Sequence, residues 1–150
     1  MKRDFLDCDL QSACDFIKQY EGLELTAYRC PAGVWTIGYG HTGKDVCSGM
    51  TITQDEANSL LLHDVECVVL ALAKHVKVQV TEGQFVALVS LAFNVGVNCV
   101  VCQCPKLMNA LNAGDEEECA RQFLDITKSN GKVLPGLVSR RKAESELFLS

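Results

Sequence analysis

Three side chains have types that could do chemistry: Glu21, Cys30 and Thr36. They offer a carboxylic acid, a thiol and a hydroxyl. Cleaving a glycosidic bond needs an acid to protonate the leaving oxygen and a second group to handle the cationic sugar or the attacking water. The acid works near neutral pH when apolar surroundings at a helix end raise its pKa, and Glu21 stands between Tyr20 and Leu23. Taken alone, a glutamate in such a place is ordinarily solvated surface. The thiol would act as base or nucleophile only as thiolate, with an ordinary pKa near ~8.5. Its one basic neighbour, Arg29, points the other way on an extended segment, so nothing is expected to lower that value. Pro31 keeps the backbone at Cys30 extended. The Thr36 hydroxyl is suited to positioning a water or a neighbouring group.

The elements that must position these groups follow from pattern. Ser12 is expected to cap a short helix carrying Phe16, Ile17 and Tyr20 and stopping at Gly22, which leaves Glu21 at its exit. Pro31-Ala32-Gly33 supplies a turn, and Val34 to Tyr39 reads as a strand with Trp35, Ile37 and Tyr39 on one face and Thr36 on the other. Thr53-Gln54-Asp55-Glu56 is a capping box, and Ala57, Leu60, Leu61, Val65, Val68 and Leu72 continue a helical stripe to about Lys74. A second box, Thr81 to Gln84, opens a helix through Phe85, Leu88, Val89 and Phe93. Pro105 begins another that ends near Gly114; Glu116 to Ile126 and Gly136 to Leu149 complete the set. Helix, small β region and helical bundle make the fold class α+β, mostly α.

Composition limits the function classes. One hundred and fifty residues suit one domain, burying roughly 70% of its unfolded surface. A net charge of −5 gives no basic stripe for nucleic acid. Asp4, Asp7, Asp9 and Asp15 interrupt any apolar leader, so no signal peptide is expected in this stretch, and no run is long enough to span a membrane. The nine cysteines are odd in number and lack a disulfide framework. Cys99, Cys102 and Cys104 form a C-x-x-C-x-C group, but no fourth ligand follows at zinc spacing, so no metal is expected.

Several separated motifs carry a family resemblance. Glu21-Gly22-Leu23, Tyr28, Cys30 and Thr36-Ile37-Gly38-Tyr39-Gly40-His41 resemble the active-site segment of the phage lysozymes, or endolysins, of glycoside hydrolase family twenty-four, of T-even and lambdoid type. The likeness continues through Ile52-Thr53-Gln54-Asp55-Glu56-Ala57, Asp64, Phe93-Asn94-Val95-Gly96 and Leu134 to Arg141. It implies a two-lobed lysozyme-like fold: a β-containing lobe at about 22–52, and a helical lobe at about 76–150 with the N-terminal helix packed on it, joined by the long helix within one domain of residues 1–150.

The resemblance also implies roles. Glu21 would be the general acid, with Cys30 and Thr36 opposite; the best-known members carry Asp where this chain has Cys30. Asn94 would be a substrate-contacting amide. His41 would pair with Asp64 as a structural ion pair that raises the histidine pKa, while His63 and His75 are ordinary polar positions of the long helix. Arg140 and Arg141 resemble C-terminal arginines of the family, one of which would reach the acid's neighbourhood. The implied activity is hydrolysis of the β-1,4 bond between N-acetylmuramic acid and N-acetylglucosamine in bacterial peptidoglycan, by a monomer without cofactor, nucleic-acid partner or membrane insertion. A phage-derived chain would stay cytoplasmic until release, and one that has lost an export signal would be secreted. The alternatives are a lytic transglycosylase on the same bond and an inactive peptidoglycan-binding module.

Overall fold

The first helix begins earlier than its sequence signal. In this computed structural model, which describes every residue except Asn130, α1 spans Leu10–Lys18, so Ser12 lies inside the helix rather than at its cap. The chain leaves it in tight turns: the amides of Tyr20 and Glu21 both bond to the Ile17 carbonyl at 3.0 Å, which places Glu21 at the helix exit.

Three antiparallel strands follow, β1 (Glu24–Arg29), β2 (Trp35–Gly38) and β3 (His41–Thr42), in that spatial order. The register pairs Tyr28 with Thr36, Thr36 with Thr42, and Ile37 with His41, so Thr36 sits on the central strand. β1 bulges between Glu24 and Tyr28 because its backbone turns to other partners there. Ala27 N–H donates to Met50 O, and Ile52 N–H donates to Leu25 O, each at 2.9 Å. β2 is shorter than the expected Val34–Tyr39 run, and its two faces do not alternate: Thr36 and Ile37 are both buried.

Both predicted capping boxes form. Thr53 and Glu56 exchange side chain-to-amide bonds of 3.1 Å ahead of α2, Gln54–Ala73. His75 therefore falls just beyond the helix to which it was assigned. The buried stripe of α2 is Ala57, Leu61, Val65, Val69 and Leu72, with Val69 in the place expected of Val68. Thr81 and Gln84 make the same exchange at 3.0 and 3.1 Å ahead of α3, Glu82–Val95. Every residue of α3 from Gln84 to Ala92 is buried, as in a core helix surrounded on all sides.

A five-residue π-turn over Cys99–Gln103 leads into α4, Pro105–Asn112. Next, α5 covers Glu116–Phe123 and stops before Ile126, because the amides of Leu124, Asp125 and Ile126 tighten onto carbonyls three residues back. A short hairpin of β4 (Lys128–Ser129) and β5 (Lys132–Val133) precedes α6, Pro135–Leu149.

Contacts divide the described chain into two units, Leu10–Cys67 and Met1–Asp9 with Val68–Ser150. The first has a core of Ile37, Val46, Ile52 and Ala57, covered by Leu23, Ala27, Trp35, Tyr39, Met50 and Leu60. The second is a helical core in which α3, α5 and α6 pack together. Within it Phe123 meets Phe148 at 5.6 Å between ring centroids and Phe5 meets Phe85 at 4.9 Å. Arg3 and Val80 exchange backbone bonds of 2.9 Å, which tie the N-terminus to this second unit. Among the described residues no helix is long and apolar enough to cross a membrane.

Candidate active site

The acid comes first. Glu21, half-buried at the exit of α1, carries its Oε2 to the turn between β2 and β3, where a Cβ added to Gly40 would lie 3.7 Å from it. Gly40 has φ +84°, a conformation that L side chains rarely adopt, so glycine suits the turn and adds no side chain of its own against the carboxylate.

Cys30 closes the β1–β2 turn. Its carbonyl accepts from Gly33 N–H at 2.8 Å, and its own N–H donates to Val34 O at 3.0 Å. This curl turns the Val34 and Ala32 amides toward the sulfur. Hydrogen bonds from Val34, then Ala32, with a further one from the Thr36 hydroxyl, outweigh desolvation and lower the thiol pKa from its ordinary value. The expectation that nothing would lower it is therefore wrong: the donors are backbone groups of a turn, not a charged side chain. Arg29 does point elsewhere, with its guanidinium 5.1 Å from the Trp35 ring centroid. Thr36 is buried, and its single hydroxyl proton is shared between that sulfur and Val34 O, which lies 3.0 Å from the hydroxyl oxygen.

His41 is clamped on both ring nitrogens. Nδ1 lies 2.7 Å from Asp64 Oδ2 on α2, and Nε2 lies 3.0 Å from Asp45 Oδ2. Burial pushes the imidazole pKa down, but bonds to Asp64 and Asp45 and the two carboxylate charges together raise it above its ordinary value. The same contact lowers the carboxyl pKa of Asp45. Asp45 was missed in the sequence; an acid four residues past the histidine, in the Gly43-Lys44-Asp45 turn, was the available signal.

In the helical unit, Asn94 occupies the last turn of α3 and is half-buried. Its Oδ1 accepts from Arg141 Nη2. Arg141 also donates from Nε to Ile126 O at 2.9 Å and from Nη1 to Glu144 Oε1. Glu144, fully buried, accepts in addition from Ser90 Oγ at 2.5 Å and from Arg140 Nε at 3.4 Å. Breaking such a buried ionic cluster by removing one partner is strongly destabilising, because it strands a charge. Glu144 and Ser90 were not singled out in the sequence. The Arg141–Glu144 spacing of i, i+3 on α6 was the local clue.

Among the described residues, no group of three or more His, Cys, Asp or Glu side chains is placed to hold a metal. All nine cysteines are free thiols. Burial pushes Cys8 and Cys104 up to about 11 and Cys119 up to about 12.

A small three-stranded sheet with a glutamate at a helix exit beside it, in a mostly helical chain, defines a lysozyme-like α+β protein. Residues 18–144 match the family described as Phage lysozyme, and the chain belongs to that family. It is 43% identical over 138 residues to an endolysin of Acyrthosiphon pisum secondary endosymbiont phage 1, covering 89% of this chain and 92% of that one. It is also 43% identical over 142 residues to an endolysin of Bacillus phage B103, matching 93% of this chain but only 53% of that relative's length. Among solved structures, the muramidase domain of SpmX from Asticaccaulis excentricus superposes with a TM-score of 0.86 at 34% identity, over 95% of this chain and 99% of that one. The endolysin from Escherichia coli O157:H7 phage FAHEc1 gives 0.85 at 38% identity, over 96% and 95%.

Proposed function

We infer that this chain is a muramidase, a glycoside hydrolase that cuts the β-1,4 bond between N-acetylmuramic acid and N-acetylglucosamine in bacterial peptidoglycan. The observation that carries the reading is the placement of the Glu21 carboxylate against the glycine backbone of the β2–β3 turn, in a member of the phage lysozyme family. Glu21 donates its proton to the glycosidic oxygen as that bond breaks, and the sugar passes through an oxocarbenium-like state. Water then bonds to the anomeric carbon from the opposite face and releases a proton to solvent, from which Glu21 is reprotonated.

Cys30 and Thr36 serve that face. Cys30 lines that face where other members carry Asp, with its thiol pKa lowered by the Val34 and Ala32 amides, while Thr36 orients the water. Asn94 contacts the glycan, and the His41–Asp64 pair holds structure rather than moving protons. The reading treats residues 1–150 as one catalytic domain acting on the cell wall as a monomer, with neither nucleic acid nor membrane as partner.

The test is digestion of purified peptidoglycan with mass analysis of the fragment ends. Wild-type protein yields reducing ends, and Glu21→Gln loses on the order of 10²–10⁴-fold in rate at unchanged helical content. Products ending in 1,6-anhydro sugars would make the chain a lytic transglycosylase. Near-normal cleavage by a folded Glu21→Gln protein would remove Glu21 from the mechanism.

A further inference from the structure

Three thiols crowd the connection between α3 and α4: Cys99, Cys102 and Cys104. By sequence alone the close pair would be Cys99 and Cys102, at the C-x-x-C interval. The fold pairs them otherwise. Cys99–Gln103 is the π-turn, a form whose hydrogen bonds join residues five apart, so Cys99 comes back beside Cys104. Their side chains are hydrogen-bonded to each other, and both are half-buried. Cys102 lies exposed on the same turn.

The two sulfurs of the pair are unlike. Burial, the charge of Cys99 and the hydrogen bond to it push the Cys104 thiol up to about 11, so Cys104 keeps its proton near neutral pH and is the donor of that hydrogen bond. Cys99 accepts it, and also interacts by charge with the Arg141 guanidinium, which is anchored on the Ile126 carbonyl and on Glu144. A surface cavity of about 310 Å³, lined in part by Gln103, Cys104 and Lys106, gives a small molecule room beside the pair.

Two thiols in contact next to such a cavity can reduce a disulfide. Cys99, as thiolate, attacks one sulfur of a disulfide RSSR, forms a mixed disulfide and expels RS⁻, which takes up the proton that Cys99 released. Cys104 then gives up its proton, and its sulfur attacks the Cys99 sulfur and expels a second RS⁻, which is protonated in turn. The two cysteines lose two electrons and two protons, and RSSR gains both to become two RSH. We propose that Cys99 and Cys104 are a dithiol site for thiol–disulfide exchange, whose substrates are small-molecule disulfides and whose product is an internal disulfide that clips the turn between α3 and α4. Cys102 takes no part. Disulfides persist in oxidising surroundings, so the clipped form belongs to protein that has left a reducing compartment. None of this depends on the muramidase reading.

Full-length reduced protein is incubated with excess oxidised glutathione in mildly alkaline buffer, its remaining thiols are alkylated, and the unreduced digest is mapped by fragment-ion mass spectrometry. A link between Cys99 and Cys104 is expected, with the loss of two hydrogens, while Cys102 is glutathionylated or alkylated. The linked protein melts roughly 3–6 °C above the same sample after reduction with dithiothreitol. Cys104→Ser, treated alike, stops at a glutathionyl group on Cys99 and shows no such gain, whereas Cys102→Ser still forms the link. A link that includes Cys102, a lasting glutathionyl group on Cys99 or Cys104 of the wild-type protein, or two unreacted thiols there, overturns the proposal. A linked protein with an unraised Tm overturns it as well. Mapping uses the wild-type chain, so a variant that fails to fold does not remove the test.

Discussion

Asp64→Asn tests whether the histidine clamp is an ionic support. The His41 and Asp64 side chains are 10% and 26% exposed, and their contact is 2.7 Å long, so solvent screens it only partly. A hydrogen bond between charged partners contributes about 1.5–3 kcal/mol. Asparagine keeps an oxygen that accepts from Nδ1, so the substitution removes the ionic share, about 1–2 kcal/mol. For a chain of this size that lowers Tm by roughly 3–6 °C.

The pH dependence carries the sign. His41 has a raised pKa in the fold, so its contribution is fully present below the unfolded value of ~6.5 and is lost as pH rises through the folded value. Asp45 has a lowered one, so its share is present above the unfolded value of ~3.9 and is lost as pH falls through the folded value. The Tm gap between wild type and Asp64→Asn should therefore be widest at about pH 5–6.5 and narrow steadily toward pH 9. Thermal melts followed by circular dichroism across that range read it directly. A gap independent of pH, or none, would show that His41 is not a buried imidazolium held by Asp64. Cleavage per folded molecule should not change.

Two further outcomes follow from the geometry. A Cβ on Gly83 would lie 2.4 Å from the Leu147 carbonyl oxygen, a backbone atom at the end of α6, so Gly83→Ala should destabilise by about 1–2 kcal/mol despite the ~1 kcal/mol gain in helix propensity; a denaturation midpoint at or above wild type would refute that packing. Cys30 should be alkylated with a pH midpoint below that of an ordinary thiol, as peptide mapping by mass spectrometry would follow. Thr36→Val should move that midpoint upward by removing one donor to the sulfur, and an unmoved midpoint would take the Thr36 hydroxyl out of the account.

What the sequence disclosed was mostly local. Thr53–Glu56 and Thr81–Gln84 announce their helices because a capping box closes within four residues, and Pro105 and Pro135 sit at first-turn positions where a missing amide costs nothing. β1 was not separated from the β region as a strand, since most of its residues are exposed and its pairing is decided by β2 on one side and by Met50–Ile52 on the other. The π-turn at Cys99–Gln103 and the β4–β5 hairpin left no periodicity to read.

The candidate site divides along the same line. Family resemblance singled out Glu21, Cys30 and Thr36, and residue type names the chemical group each of them brings. Neither states that group's electrical condition. The Cys30 sulfur owes its lowered pKa to amides that any residue could supply, made effective by the curl of the Cys30–Val34 turn. Asn94 has its amide oxygen held by Arg141, far away in the chain. Residue type supplies the functional group, and the fold sets its surroundings: a carboxylate at a helix exit, a thiol with a lowered pKa, an amide whose oxygen is held by an arginine. The variants most informative for this protein are accordingly the near-isosteric ones, Glu21→Gln and Asp64→Asn, which leave shape in place and alter only charge or polarity.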